Sequence, residues 1–214
     1  RKRNSRTRSG SSSSFSSRCD APPVPDTQTL ARMKPDEAWE ILRSADLLCD
    51  EAEVRAAIAR IAGEITTCLE NRFPLVLAVM GGSICFAGQL LPQLRFPLEF
   101  DYIHASRYGD ATSGGKVIEW RVEPGENVRG RSVLVLDDIL DGGDTLAAIR
   151  ERVLSNGAAA FYSAVLTDKD IGRTKPIAAD FVGLKLPNRY VFGCGMDVSG
   201  AWRNLPAIYA VKDA

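Results

Sequence analysis

The stretch from Val133 to Thr145, reading VLVLDDILDGGDT, constrains the fold more than any other part of the chain. Four apolar residues run straight into the adjacent carboxylates Asp137 and Asp138. A third carboxylate, Asp141, follows, and then Gly142, Gly143, Asp144 and Thr145. An uninterrupted apolar run of this kind fits a strand buried on both faces of a parallel sheet. The polar residues then fall at the strand's carboxyl end, where open α/β sheets bind ligands. The glycines let the backbone turn tightly and bring its N–H groups close to an anion. Leu146, Ile149 and Val153 follow at helical spacing, so the turn opens a helix whose N-terminus favours a phosphate. One short segment thus offers an anion cradle and three carboxylates for hydroxyls, a metal ion or a proton.

The plainer alternative for Gly142 to Thr145 is an ordinary capped loop. The Asp137–Asp138 pair is harder to explain that way. Neighbouring carboxylates at the end of a buried strand repel each other and resist desolvation. Such a pair persists when donor groups or positive charge meet it. A Walker loop would end in Gly-Lys-Ser/Thr, and no lysine stands there. A Rossmann fingerprint needs spaced glycines after the first strand, and here two are adjacent.

The rest of the chain supplies alternating elements. Pro35 to Ala45 has short helical character. Asp50 with Glu53 forms a capping box, and Val54, Ile58, Ile61, Ile65 and Leu69 mark one face of the helix that follows. Leu75 to Met80 reads as a buried strand ended by Gly81 and Gly82. Ile84 to Leu94 reads as a helix and Leu98 to Ile103 as an alternating strand. Residues 107–122 read as a glycine-bearing loop or hairpin. Asn156-Gly157 is a good helix stop, and Ala160–Leu166, Phe181–Leu186 and Tyr190–Phe192 are further strands. Strands alternating with helices imply an α/β fold with a parallel, doubly wound sheet.

At 214 residues and 45% apolar, the chain suits one globular core, and no apolar run approaches the length of a membrane span. Six of its 27 basic residues, and none of its 27 acidic ones, lie in residues 1–18, so the remainder carries a net charge of −6. An acidic body argues against nucleic acid as the main partner. Residues 1–32 are expected to be a disordered Arg/Ser-rich tail ahead of a domain spanning 33–214. The acid-free start also resembles an organelle transit peptide. Met33 stands where the globular pattern begins and is expected to be the native start, the tail being extraneous. The five cysteines (Cys19, Cys49, Cys68, Cys85 and Cys194) are odd in number and match no zinc spacing, which suits a reducing cytoplasm. Cys68 and Cys85 read as small buried hydrophobes. His104, the only histidine, reads as structural, which disfavours Ser-His-Asp and Cys-His mechanisms. Gly193-Cys194-Gly195 lacks the third glycine and following helix of a dinucleotide loop and is set aside.

The signature segment resembles the phosphoribosyl-pyrophosphate motif of type I phosphoribosyltransferases. More narrowly, LDDILDGGDT is similar to the hypoxanthine-guanine version, and the likeness runs over roughly residues 34–214. The resemblance implies a type I phosphoribosyltransferase fold: a central parallel sheet flanked by helices, a small hood built from chain ends, and a flexible lid loop. It implies transfer of 5-phosphoribosyl from phosphoribosyl pyrophosphate to hypoxanthine or guanine. A non-catalytic nucleotide sensor and a xanthine-preferring enzyme are the rival readings. The family's roles would fall as follows. Asp137, Asp138 and the backbone of Gly142, Gly143 and Asp144, with the Thr145 hydroxyl, would hold the phosphoribosyl group, and Asp141 would be the base. Met80, Gly81, Gly82 and Arg203 would bind pyrophosphate, with a cis peptide at Val79–Met80. Many relatives carry a basic residue where Met80 stands. Arg107 and Tyr108 would form the lid, with Tyr108 shielding the site and Arg107 near the pyrophosphate. Lys169, Tyr190 and Val191 would bind the purine, Lys169 by donating to its keto oxygen. Asp137, Asp138 and Asp197 would engage magnesium. The family also implies a homo-oligomer, a dimer or tetramer, and the cysteine pattern leads to the expectation of a cytoplasmic location.

Overall fold

The computed structural model describes residues 33–108 and 117–212. The expected tail at 1–32 and the middle of the expected lid lie outside them. In chain order the elements are α1 (Pro35–Ser44), β1 (Asp46–Cys49), α2 (Glu51–Leu69), β2 (Leu75–Val79), α3 (Ile84–Leu90), β3 (Glu99–Tyr108), β4 (Val117–Val122), β5 (Ser132–Leu140), α4 (Asp144–Ser155), β6 (Ala160–Lys169), β7 (Phe181–Leu186), β8 (Val191–Phe192) and β9 (Ile208–Ala210).

A six-stranded sheet runs β4-β3-β2-β5-β6-β7. All its pairings are parallel except β3 with β4, which form an antiparallel hairpin. Alternate side chains of the central strands feed two separate cores. Val76, Ala78, Leu134 and Leu136 pack with α2, α3 and the hood. Leu75, Leu77, Val79, Val133 and Val135 pack with Leu146, Ile149 and Val153 of α4. Burial on both faces is why these strands read as continuous apolar runs. The doubly wound parallel sheet is therefore as expected, with one antiparallel edge.

The capping box of α2 forms in both directions, with Glu53 N–H donating to Asp50 Oδ1 and Asp50 N–H to Glu53 Oε2, each at 2.8 Å. Several boundaries differ from expectation. The helix from Ile84 ends at Leu90 and tightens into a 3-10 turn over Leu91–Gln93, because Pro92 has no N–H to continue the ladder. The strand expected to stop at Ile103 runs on to Tyr108, where pairing with β4 extends it. β6 likewise runs past Leu166 to Lys169 on the parallel support of β5 and β7.

A second, three-stranded antiparallel sheet, β1-β9-β8, forms the hood. Its first strand was not foreseen. β1 pairs with a segment near the far end of the chain, Asp46 with Ala210 and Leu47 with Tyr209. A four-residue strand of that kind exists only through its tertiary partner. α1 braces the hood. Trp202 Nε1–H donates to the Ala38 carbonyl at 2.9 Å, and the Trp39 and Trp202 rings meet edge-on at 4.9 Å.

Candidate active site

A cavity of about 300 Å³ opens above the carboxyl ends of β2, β3 and β5. Met80, Gly81, Gly82, Asp137, Asp138, Asp141, Gly143, Thr145 and Arg203 all line it, so most of the expected phosphoribosyl and pyrophosphate residues converge. Ser132–Leu140 is strand throughout, so Asp137 and Asp138 lie within β5 rather than beyond it. Both are almost wholly buried, at 9% and 8% exposure. Burial first, and then the neighbouring Asp138 charge, pushes the Asp137 carboxyl well above its ordinary value of 3.8. Burial raises Asp138 as well, but a hydrogen bond from Asp137 and the Arg203 charge pull it back. Asp137 is therefore the member of the pair pushed further toward its neutral form. The Asp138 N–H donates to Asp137 Oδ1 at 3.0 Å, and the buried Thr167 hydroxyl donates to the Asp138 carbonyl at 2.9 Å, fixing the pair from below.

Behind the carboxylates the chain turns at Gly143, whose φ of +87° is open to glycine and strained for other residues. Gly143 is the N-cap of α4, and the Ala147 N–H reaches its carbonyl at 3.0 Å. The first-turn N–H groups of a helix lack intrahelical partners, and the helix dipole adds to their pull on an anion.

The facing wall is the Met80-Gly81-Gly82 turn. Its cis peptide joins Met80 to Gly81, not Val79 to Met80 as expected. The Met80 N–H still donates to the Ile103 carbonyl at 2.8 Å, so the sheet ladder holds Met80 and the turn starts after it. Gly82 is required by contact: a Cβ there would stand 2.6 Å from the Asp138 Cγ.

Arg203 closes the cavity. Its Nη1 donates to the Gly195 carbonyl at 2.6 Å, and its Nη2 pairs with the Asp197 carboxylate. The Gly195 N–H returns a bond to the Arg203 carbonyl at 2.9 Å, and the Cys85 thiol donates to the same carbonyl at 3.2 Å. Gly193-Cys194-Gly195, set aside in the sequence, is thus the clip that holds Arg203. Cys85 and Cys68 are only half-buried, because one turns to that carbonyl and the other sits at the margin of the core. Burial pushes the Cys194 thiol up to about 12, which keeps it protonated and unfit as a nucleophile.

The expected purine residues sit to one side and do not line this cavity. Lys169 ends β6 and pairs with Asp141 at 3.3 Å, which ties it to the turn after β5. Tyr190 precedes β8 rather than starting it; it is 58% exposed, and its hydroxyl donates to the Asp197 carbonyl at 3.4 Å. Val191 is buried beneath it. Asp197 does not join Asp137 and Asp138 in one cluster. Its carboxylate is taken by Arg203 and by the Gly200 N–H at 2.6 Å, and among the described residues no three His, Cys, Asp or Glu side chains converge on a point. Arg107 and Tyr108 end β3 beside the cavity, and their side chains lie outside the described residues. Sequence reasoning missed His104, which lines the cavity, and the clip residues Cys85 and Gly195. The one available signal was that His104 directly follows the run Leu98 to Ile103 that reads as a strand.

A carboxylate pair, an anion turn and an arginine sharing one cavity agree with the family match, which covers residues 45–199 with the phosphoribosyl transferase domain. The chain belongs to that family. Among curated relatives, this phosphoribosyltransferase is 32% identical to the hypoxanthine-guanine phosphoribosyltransferase of Bacillus subtilis over 78% of this chain and 93% of that one. It is 33% identical to the hypoxanthine-guanine-xanthine phosphoribosyltransferase of Tritrichomonas foetus, over 78% and 92%. Among solved structures, the hypoxanthine phosphoribosyltransferase of Trypanosoma cruzi in a ternary substrates complex superposes with a TM-score of 0.73 at 28% identity, covering 79% of this chain and 97% of that one. The type I phosphoribosyltransferase fold is therefore present.

Proposed function

We propose that this chain is a purine-salvage enzyme that transfers 5-phosphoribosyl from phosphoribosyl pyrophosphate to N9 of hypoxanthine or guanine. The products are IMP or GMP and pyrophosphate. The observation that carries the reading is the order of groups along the sheet. The Gly81-Gly82 turn, the β5 carboxylates with the Gly143 turn, and Lys169 stand on β2, β5 and β6, which are adjacent strands. Pyrophosphate, ribose phosphate and purine lie in that same order in the reacting pair.

Asp137 and Asp138 engage the ribose hydroxyls. The backbone of Gly142, Gly143 and Asp144, with the Thr145 hydroxyl, holds the 5-phosphate. Backbone donors at Met80, Gly81 and Gly82 and the Arg203 guanidinium bind pyrophosphate. Asp141 takes the proton from N7, and Lys169, held beside it, donates to the keto oxygen, which favours 6-oxopurines over adenine. Tyr190 stacks on the purine over the Val191 backbone. Arg107 and Tyr108 close over the site and exclude water that would hydrolyse the activated sugar.

The donor set fits magnesium: two adjacent buried acids, both pushed up by burial, gain when a cation favours their charged forms. Asp137 and Asp138 would hold one ion and Asp197 would contact a second. When bound, the ion supplies positive charge against the charge that develops on the leaving group. We take the domain at 33–214 to act in the cytoplasm as a homo-oligomer, a dimer or tetramer. The four described cysteines are free, and Phe100 and Tyr102 are each 47% exposed on one face of β3. Sedimentation velocity reads the assembly.

Pyrophosphate release from phosphoribosyl pyrophosphate, magnesium and hypoxanthine or guanine tests the reading. Absence of release with every 6-oxopurine overturns it. The Tritrichomonas foetus relative includes xanthine in its range, so xanthine is the third base to assay.

A further inference from the structure

His104 occupies a position in the cavity that the roles above leave unused. It stands on β3, one residue beyond the Val79–Ile103 pairing, and so lies beside Met80 at the outer end of the pyrophosphate turn. Ile103 and Ala105 on either side point into the α4 core, which directs His104 to the other face. The β3–β4 ladder is irregular between His104 and Ala105, the kind of break that re-aims a side chain beside a site. The imidazole is half-buried and lines the cavity.

Charge makes the placement informative. Asp137, Asp138 and Asp141 line this cavity, and among the described residues Arg203 and His104 are the lining side chains with a basic group. Arg203 is already engaged by the Gly195 carbonyl and Asp197. Met80 brings no polar hydrogen. Among the described residues, a leaving group bearing several negative charges meets backbone N–H groups, one committed guanidinium and this ring.

Resting on the transferase reading, we propose that His104 is a pyrophosphate-binding residue, donating a ring N–H to the leaving group at the end of the cavity opposite the purine. Its role is specific to that end because β2 and β5 separate it from Lys169 on β6.

The test compares wild type, His104→Ala and His104→Gln in both directions of the reaction, with melting curves for each. His104→Ala is expected to raise KM for phosphoribosyl pyrophosphate, and for pyrophosphate in the reverse reaction, about tenfold. The KM values for hypoxanthine and IMP should stay at the wild-type level, and His104→Gln, which keeps a donor, should recover most of the loss. Unchanged KM for both pyrophosphate-bearing substrates, equal weakening toward hypoxanthine, or no recovery by Gln each overturns the proposal. An inactive wild type would instead overturn the transferase reading.

Discussion

Asp137, Asp138, Asp141, Gly143 and Thr145 reach the cavity from one continuous strand, turn and helix, whereas Arg203 reaches it from a hood segment held by Cys85, Gly195 and, through Trp202, Ala38. In the first region, function follows from local geometry, since a buried strand and a glycine turn position every group. In the second, the backbone is unusual in itself. Cys194, Ser199 and Trp202 have φ values of 50°, 49° and 72°, in the left-handed region that side chains disfavour, and they flank Asp197 and Arg203. The difference teaches that the Gly143 turn is intrinsic to its segment, while the arginine depends on packing from elsewhere.

The strongest way to probe the local region is Asp141→Asn. Turnover should fall roughly 10²- to 10⁴-fold, the range for loss of a positioned base, while equilibrium dialysis still shows phosphoribosyl pyrophosphate bound. Near-normal turnover would remove Asp141 as the base. Lys169→Ala should reduce the preference for hypoxanthine over adenine by about ten- to a hundredfold in kcat/KM, the worth of a hydrogen bond from a charged donor. An unaltered ratio would exclude Lys169 from the purine edge.

The hood is probed by Gly195→Ala. Gly195 has φ +105°, and an added Cβ would strike the Gly82 carbonyl. Urea denaturation should show a loss well above about 1 kcal/mol, together with weaker pyrophosphate binding, because Arg203 loses its clip. Full stability would mean that the hood holds Arg203 by other means.

The smallest effect concerns Asp137 and has a definite sign. Its folded carboxyl titrates well above 3.8, so between that value and the raised one the folded state keeps a proton that the unfolded chain has released. Stability is therefore full below the ordinary value and falls as pH rises through the window. Asp137→Asn should flatten this decline in the ligand-free protein, read as melting temperature between acid and mildly alkaline pH. A wild-type protein whose stability does not decline there would contradict the burial argument.

The parallel sheet, its two faces and the anion turn were legible because each is written in adjacent residues: alternating cores in 133–136, a capping box at Asp50 and Glu53, and glycines where a positive φ is needed. The hood was less so. β1 is too short to announce itself, and Gly193-Cys194-Gly195 resembled a failed nucleotide loop until its contact with Gly82 and Arg203 was seen.

By itself, then, the order of residues determined the strand, the carboxylate pair at its end and the glycine turn into the helix, since hydrogen-bond periodicity and glycine's conformational freedom act over a few neighbours. Only the tertiary structure decided which distant groups meet: that His104 lies beside Met80, that Lys169 meets Asp141, and that Arg203 shares a cavity with Asp138. Those placements come from sheet order and hood packing, where contacts far apart in the chain outweigh any local preference.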